Sequence, residues 1–115
     1  MGSTQTGRRA ETAAATYLEM RGFKIIEQNY RRPRCEIDII ATKGDTVYFV
    51  EVKYRATYDQ GGGFEAITAT KFKQMVYAAE IWVQETKWDG PFQLAAVELA
   101  GRDFTVMNFV DNAYF

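Results

Sequence analysis

Two strand-like runs joined by a short turn dominate the middle of the chain. The first, Glu36 to Thr42, reads EIDIIAT, and the second, Thr46 to Arg55, reads TVYFVEVKYR, with Lys-Gly-Asp between them. Runs rich in β-branched and aromatic residues on either side of a glycine-containing turn predict a β-hairpin. Four ionisable residues interrupt these apolar runs: Glu36, Asp38, Glu51 and Lys53. The hairpin is therefore expected to carry charge on surfaces that its other side chains would bury.

Side chains along a strand alternate between its two faces. This alternation predicts that Glu36, Asp38 and Ile40 share one face of the first strand and that Ile37 and Ile39 share the other. The first strand thus presents two carboxylates on one side.

The second strand adds a third carboxylate and a lysine. Alternation predicts a face shared by Phe49, Glu51 and Lys53, opposite to Tyr48, Val50 and Val52. Glu51 and Lys53 are then about 7 Å apart along the strand. Acids and a lysine can therefore converge on one side of the hairpin.

The segment before the hairpin reads as one helix and one strand. Apolar residues at helical spacing predict a helix from about residue 7 to residue 21, with Gly22 as its C-terminal cap. Residues 23–29 are predicted to form a strand and residues 30–34 a turn, because Pro33 cannot donate to a sheet ladder.

The segment after the hairpin reads as one helix and two strands. A helix is predicted from Thr68 or Thr70 to Thr86, followed by strands at 92–99 and 104–110. The order αβββαββ predicts an α/β fold with a mixed β-sheet flanked by two helices, in a single domain spanning residues 1–115.

Composition restricts the chemistry and the compartment. The chain has no histidine and one cysteine, Cys35. The lack of histidine excludes a Ser-His-Asp triad and His-rich zinc sites, which leaves carboxylates, lysines and tyrosines for any reaction. The lone cysteine excludes an internal disulfide, and no apolar run approaches the ~20 residues of a membrane span. These features predict a cytoplasmic protein without a membrane partner.

The net charge of −1 argues against strong, non-specific electrostatic binding to nucleic acid. Cationic residues nevertheless recur in short clusters that folding can combine into a local phosphate-binding face. The candidate nucleic-acid contacts are Arg31, Arg32, Arg34 and Arg55. Solvated surface charge is the alternative interpretation of each cluster taken alone.

Clustering carboxylates on a half-buried sheet destabilises the folded state by several kcal/mol unless a cation neutralises them. Hard divalent cations such as Mg²⁺ and Mn²⁺ prefer oxygen ligands, and Mg²⁺ typically uses one or two carboxylates plus water. Lys53 can then stabilise charge developing on a phosphorus centre or orient an attacking water. The alternative is that Lys53 and Glu51 pair on a solvated face.

Each predicted helix contributes one further candidate. Glu11 precedes Leu18 by seven residues and so lies within about 20° of the apolar stripe of the first helix. Lys71 has the same relation to Trp82, eleven residues later, in the second helix. The alternative for Glu11 is a first-turn acid favoured by the helix dipole.

The spacing of these residues resembles a known nuclease motif. Asp38 is followed, after twelve intervening residues, by Glu51-Val52-Lys53, which resembles the PD-(D/E)xK signature. The segments GRRAETAAATYLEMRGFKIIEQNYR, EIDII, FVEVKYR, EAITATK and FVDNAYF together resemble the YraN-like family of small bacterial proteins. The resemblance extends over nearly the whole chain.

This resemblance implies a restriction-endonuclease-like core close to that of Holliday-junction resolvases. It further implies Mg²⁺- or Mn²⁺-dependent hydrolysis of DNA phosphodiesters, with branched or damaged DNA as the candidate substrate. Asp38, Glu51 and the Val52 carbonyl would hold the metal, Lys53 would be the catalytic lysine, and Glu11 would be a further acid of the site.

Three secondary candidates follow from the same resemblance: Glu36, Lys71 and Gln93. Gln93 stands where relatives usually have an aspartate after the phenylalanine. The alternative function is a non-catalytic nucleic-acid-binding or adaptor protein that keeps the nuclease fold. A homodimer is a further expectation, because a four-way junction offers two symmetric strands and two-fold dimers are the commonest oligomers.

Overall fold

The computed structural model describes residues 5–57 and 67–112. Its elements in chain order are α1 (Gln5–Met20), β1 (Lys24–Arg32), β2 (Cys35–Lys43), β3 (Thr46–Arg55), α2 (Ala69–Thr86), β4 (Phe92–Ala100) and β5 (Thr105–Val110). The predicted order αβββαββ is confirmed. Within the described residues, neither helix is long and apolar enough to cross a membrane.

The strands form one five-stranded sheet in the order β1-β2-β3-β4-β5. All neighbouring pairs are antiparallel except β3 and β4, which are parallel. Parallel strands need a crossover connection, and α2 lies in the segment that connects these two. The predicted mixed sheet and the β2–β3 hairpin are therefore both confirmed.

One helix packs on each face of the sheet. The apolar cluster on the α1 side includes Ala14, Leu18, Ile39, Val50 and Val97. The cluster on the α2 side includes Ile37, Ile40, Phe49, Met75 and Trp82. Both helices bury a single apolar stripe, as the helical spacing predicts.

The helix ends are set by specific caps. Gly22 has φ 94°, and the N–H of Phe23 donates to the carbonyl of Leu18 at 3.0 Å, which is the pattern of a Schellman cap. At the start of α2, the hydroxyl of Thr68 accepts from the N–H of Lys71 at 3.1 Å. Thr68 is thus the N-cap of α2, and its position fixes the start of the helix one turn before Lys71.

The predicted turn at residues 30–34 is wrong for its first three residues. β1 continues to Arg32, and Tyr30 pairs with Ile37 of β2. Tyr30 is almost fully buried on the α2 side, and its hydroxyl donates to Glu85 at 2.8 Å. Burial of this ring and its tie to α2 hold the strand extended, so only Pro33 and Arg34 turn the chain.

The predicted alternation along β2 is also wrong at one point. Ile37 and Ile40 pack on the α2 side, whereas Ile39 packs on the α1 side. Alternation is therefore broken at Asp38. Across the ladder from Asp38 lies Asn29, which has a left-handed φ of 56°, a conformation that asparagine tolerates better than most residues.

Candidate functional site

Strands β2 and β3 separate next to Asp38. Their ladder ends at the pair Ile39 and Val50, and beyond it the N–H of Val52 donates to Asp38 Oδ2 at 2.8 Å. A side-chain carboxylate therefore replaces the backbone acceptor that a continuing strand would provide. The carboxylate of Asp38 consequently lies in the gap between the two strands, within reach of groups from both faces.

Glu51 meets Asp38 at this gap. Phe49 packs on the α2 side and Val50 on the α1 side, so Glu51 lies on the α2 side, on the face that alternation predicts it shares with Phe49. Each of the two carboxyl groups affects the pKa of the other, and both residues are shielded, with 8% exposure for Asp38 and 13% for the Glu51 side chain. The hairpin thus brings the two acids together.

Burial controls the protonation of this carboxylate pair, Asp38 and Glu51. Burial and then the charge of Asp38 raise the pKa of Glu51 from its ordinary 4.5 to about 8. Burial also raises the pKa of Asp38, against the opposing effect of its hydrogen bonds from Val52 and Glu51. At neutral pH the pair therefore retains a proton, and a cation that replaced this proton would relieve the cost of ionisation.

Two lysines lie near the carboxylate pair. Lys71 Nζ is 3.6 Å from Glu51 Oε1, and the Lys71 side chain is only 24% exposed. Lys71 and, more weakly, Lys53 oppose the increase in the pKa of Glu51. Lys71, a secondary candidate in the sequence, is thus the cation in direct contact with the pair.

Glu11 approaches the same gap from α1. Burial and the charge of Asp38 raise the pKa of Glu11, while a side-chain hydrogen bond with Asn29 lowers it. Within residues 5–57 and 67–112, no group of three His, Cys, Asp or Glu side chains is close enough to hold one metal ion. Glu11 therefore borders the carboxylate pair without completing a three-residue ligand set.

Glu36 and Gln93 are not members of the carboxylate pair, although, in addition to burial, the charge of Glu36 contributes to the raised pKa of Asp38. Glu36 forms an ion pair with Arg31 at 3.3 Å, and both side chains are about half exposed. Gln93 pairs with Tyr48 on the α1 side of the sheet. Glu51 pairs with Ala96, three residues further along β4. That offset is about 10 Å. The structure therefore does not bring Gln93 to the two acids.

Three of the four candidate arginines are paired with carboxylates: Arg31 with Glu36, as described above, and Arg32 and Arg55 with other acids. Arg32 donates to both oxygens of Glu85 at 2.8 Å, and its guanidinium lies 4.2 Å from the ring centroid of Tyr30. Arg55 forms an ion pair with Glu98. Both guanidinium groups are thus engaged within the protein.

Glu98 is a charged residue that the sequence reasoning missed. It is 7% exposed near the C-terminal end of β4 and lies in register with Lys53 on the neighbouring strand. The signal was available, because a lone acid within FQLAAVELA is the same anomaly that singled out Asp38. Glu98 and Arg55 therefore continue the row of charged residues beyond Lys53.

The carboxylate pair has a testable effect on stability. Since the pKa of Glu51 is raised, the folded state binds this proton more tightly than the unfolded state does, and stability falls as pH rises from 4.5 to about 8. The limiting slope of the free energy of unfolding against pH is about 1.4 kcal/mol per pH unit.

Thermal unfolding in EDTA should show that Glu51→Gln flattens this dependence on pH and is more stable than wild type at the alkaline end. The control Glu80→Gln, at an exposed glutamate of α2, should keep the wild-type slope. An unchanged slope in Glu51→Gln would contradict the raised pKa.

Fold and site together define an α/β protein with a two-carboxylate centre at the point where two sheet strands separate. The chain belongs to the family described as "Uncharacterised protein family UPF0102", whose model matches residues 10–105. This is the YraN family, so the resemblance seen in the sequence is confirmed.

Relatives match along most of the chain. A UPF0102 protein of Vibrio campbellii is 36% identical over 114 residues, covering 95% of this chain and 91% of the relative. A UPF0102 protein of Pseudomonas syringae pv. syringae is 35% identical over 114 residues, covering 96% and 93%. One from Prosthecochloris aestuarii is 48% identical over 77 residues, covering 67% of this chain and 61% of the relative.

Proposed function

We propose that this protein is a metal-dependent nuclease that hydrolyses DNA phosphodiesters on a restriction-endonuclease-like core. The observation that supports this proposal is the shielded pair of carboxyl groups of Asp38 and Glu51, with Lys71 3.6 Å from Glu51 and Lys53 two residues further along β3. Carboxylates and lysines with perturbed surroundings in one place are characteristic of catalytic sites. The absence of histidine leaves these residues as the chain's means of acid-base and electrostatic catalysis.

The donor set suits Mg²⁺ or Mn²⁺. Both ions favour oxygen ligands, and Mg²⁺ typically takes one or two protein carboxylates and completes its shell with water and substrate phosphate. Asp38 and Glu51 supply two carboxylates, and the Val52 carbonyl is the third proposed donor. A bound ion would supply positive charge to a phosphate oxygen and lower the pKa of a water molecule.

The protein's own residues have distinct roles in this proposal. The N–H of Val52 holds the Asp38 carboxylate in the gap between β2 and β3. Lys53 stabilises negative charge that develops on the phosphoryl oxygens or orients the attacking water, and Glu11 shapes the α1 side of the site. Lys71 balances the remaining negative charge of the carboxylate pair in the absence of substrate.

We propose branched or damaged DNA as the substrate. Cutting both equivalent strands of a four-way junction requires two copies of the site, so a two-fold homodimer belongs to the same proposal.

The second candidate function is a nucleic-acid-binding or adaptor protein without catalysis. The observation that favours it is the position of Lys71, because its ammonium group, 3.6 Å from Glu51 Oε1, can balance the charge of the carboxylate pair without a metal. In this alternative the two acids and Lys71 form a structural ion cluster.

A cleavage assay separates the two functions. Purified protein should be incubated with labelled duplex, single-stranded and four-way-junction DNA in Mg²⁺, in Mn²⁺ and in EDTA. The nuclease proposal expects products with either metal and none in EDTA, and a Glu51→Gln variant purified in parallel should give none under any condition. Binding without products from any substrate, even at high protein concentration, would reject the nuclease and favour the adaptor.

A further inference from the structure

A basic cleft lies beside the carboxylate pair, between the β1–β2 turn and the first turns of α2. Its volume is about 430 Å³, within the range of about 300–1,000 Å³ that is usual for small-ligand sites. Among its lining residues are four cations, Arg31, Arg32, Arg34 and Lys71, and one carboxylate, Glu36. The cleft thus concentrates positive charge on a chain whose net charge is −1.

The cleft is adjacent to the carboxylate pair. Lys71 lines it, and Lys71 Nζ is 3.6 Å from Glu51 Oε1. A group bound by Lys71 in the cleft is therefore the immediate neighbour of a group bound at the two acids. Successive phosphates of one nucleic-acid strand are likewise immediate neighbours, so one strand can place one phosphate at each of the two positions.

The turn that carries the arginines is held against α2. Arg32 and Tyr30 both donate to Glu85, near the C-terminal end of the helix. This tie fixes the end of β1 before any ligand arrives, which lowers the ordering cost of binding. Arg32 therefore lines the cleft without being a proposed phosphate ligand, since Glu85 already neutralises its charge.

Arg31 and Arg34 have charges available for a ligand. The ion pair between Arg31 and Glu36 is half exposed, and exposed pairs contribute little to stability because water screens them, so an incoming phosphate can compete for Arg31. Arg34 is exposed in the turn, and no ion pair involving it is found within residues 5–57 and 67–112. Arg55 cannot join them, because it is paired with Glu98 on β4.

We propose that this cleft is a phosphate subsite in which Arg31, Arg34 and Lys71 hold the backbone phosphate next to the one at the carboxylate pair. The ligand class is a nucleic-acid strand, recognised through its phosphodiester oxyanions. The inference deepens the proposed nuclease function and is tested by binding alone, without cleavage.

The test measures binding of a short fluorescein-labelled oligothymidylate by anisotropy in EDTA over a series of salt concentrations. Each lost phosphate contact should reduce the slope of log K against log salt by about 0.7 for a single strand. Arg34→Gln and Lys71→Gln should each show this reduction and several-fold weaker binding, and the double variant should show about twice the change. Glutamine adds no new strain at the left-handed φ of 71° that Arg34 already adopts.

Two controls make the result specific. Arg34→Lys should restore most of the slope, and Arg102→Gln, an exposed arginine in the β4–β5 turn, should leave it unchanged. Equal slopes for wild type, Arg34→Gln and Lys71→Gln would overturn the subsite. A second outcome would also overturn the subsite. If inorganic phosphate displaces the probe at constant ionic strength while the salt slopes of the variants equal that of wild type, the cleft is a pocket for small anions.

The subsite and the nuclease can fail separately. If wild type cuts DNA with Mg²⁺ or Mn²⁺ while the salt slopes of the variants are unchanged, the subsite is wrong and the nuclease stands. If the slopes change as expected and no substrate is cut, the subsite stands and the nuclease is wrong.

Discussion

Replacing Lys53 with alanine should slow metal-dependent DNA cleavage by roughly 10²-fold or more, the usual effect of losing one electrostatic stabiliser of a transition state. Lys53 follows Glu51 by two residues on the same strand, and its charge is felt at the Glu51 carboxylate. DNA binding should fall much less, because one phosphate-contacting cation changes the salt slope by only about one unit. Single-turnover cleavage and anisotropy at one fixed salt concentration measure the two effects separately.

The control for this substitution is Lys73→Ala, at an exposed lysine of α2. It removes the same charge from the chain and should change neither rate nor affinity appreciably. A Lys53→Ala variant that loses binding and cleavage in equal proportion would show that Lys53 contributes to ground-state binding alone. Its proposed catalytic role would then be withdrawn.

Asp38→Asn should abolish metal-dependent cleavage, with a loss of at least about 10³-fold, because several kcal/mol of transition-state stabilisation depend on the bound ion. The asparagine carbonyl can still accept the hydrogen bond that Val52 donates to Asp38, so the gap between β2 and β3 should keep its shape. At pH values above the pKa of Glu51, both acids of the wild type are ionised. Removing one of these two adjacent buried charges should therefore raise the melting temperature measured in EDTA at such a pH. Calorimetry with Mn²⁺, a cleavage assay and thermal unfolding test the three parts.

The matched control is Asp89→Asn, at an exposed aspartate between α2 and β4. It should behave as wild type in all three measurements. If Asp38→Asn binds Mn²⁺ as tightly as wild type, Asp38 is not a ligand and the metal proposal must be rebuilt on other residues. If the variant is strongly destabilised in EDTA, the carboxylate is needed for the fold itself, in agreement with the adaptor alternative.

The sequence alone is sufficient to predict the order of the elements, the β2–β3 hairpin, the Gly22 cap of α1 and the family, whereas it leaves Thr68 and Thr70 as alternative caps of α2. These features depend on short windows: helical spacing before Gly22, a threonine cap before α2, and β-branched runs around Gly44. Asp38 and Glu51 could also be singled out, because an acid within an apolar strand costs free energy that a function can justify. Local periodicity is sufficient for such conclusions.

The partners of the charged residues, by contrast, depend on how distant segments pack together. Alternation along β2 breaks at Asp38, across the ladder from the left-handed Asn29, and the β2–β3 ladder ends beside the gap that Asp38 occupies. Strand register places Gln93 on the other face of the sheet, and the packing of α2 brings Lys71 to Glu51. These outcomes depend on register and helix placement between segments distant in the chain, so no local pattern in the sequence could determine them.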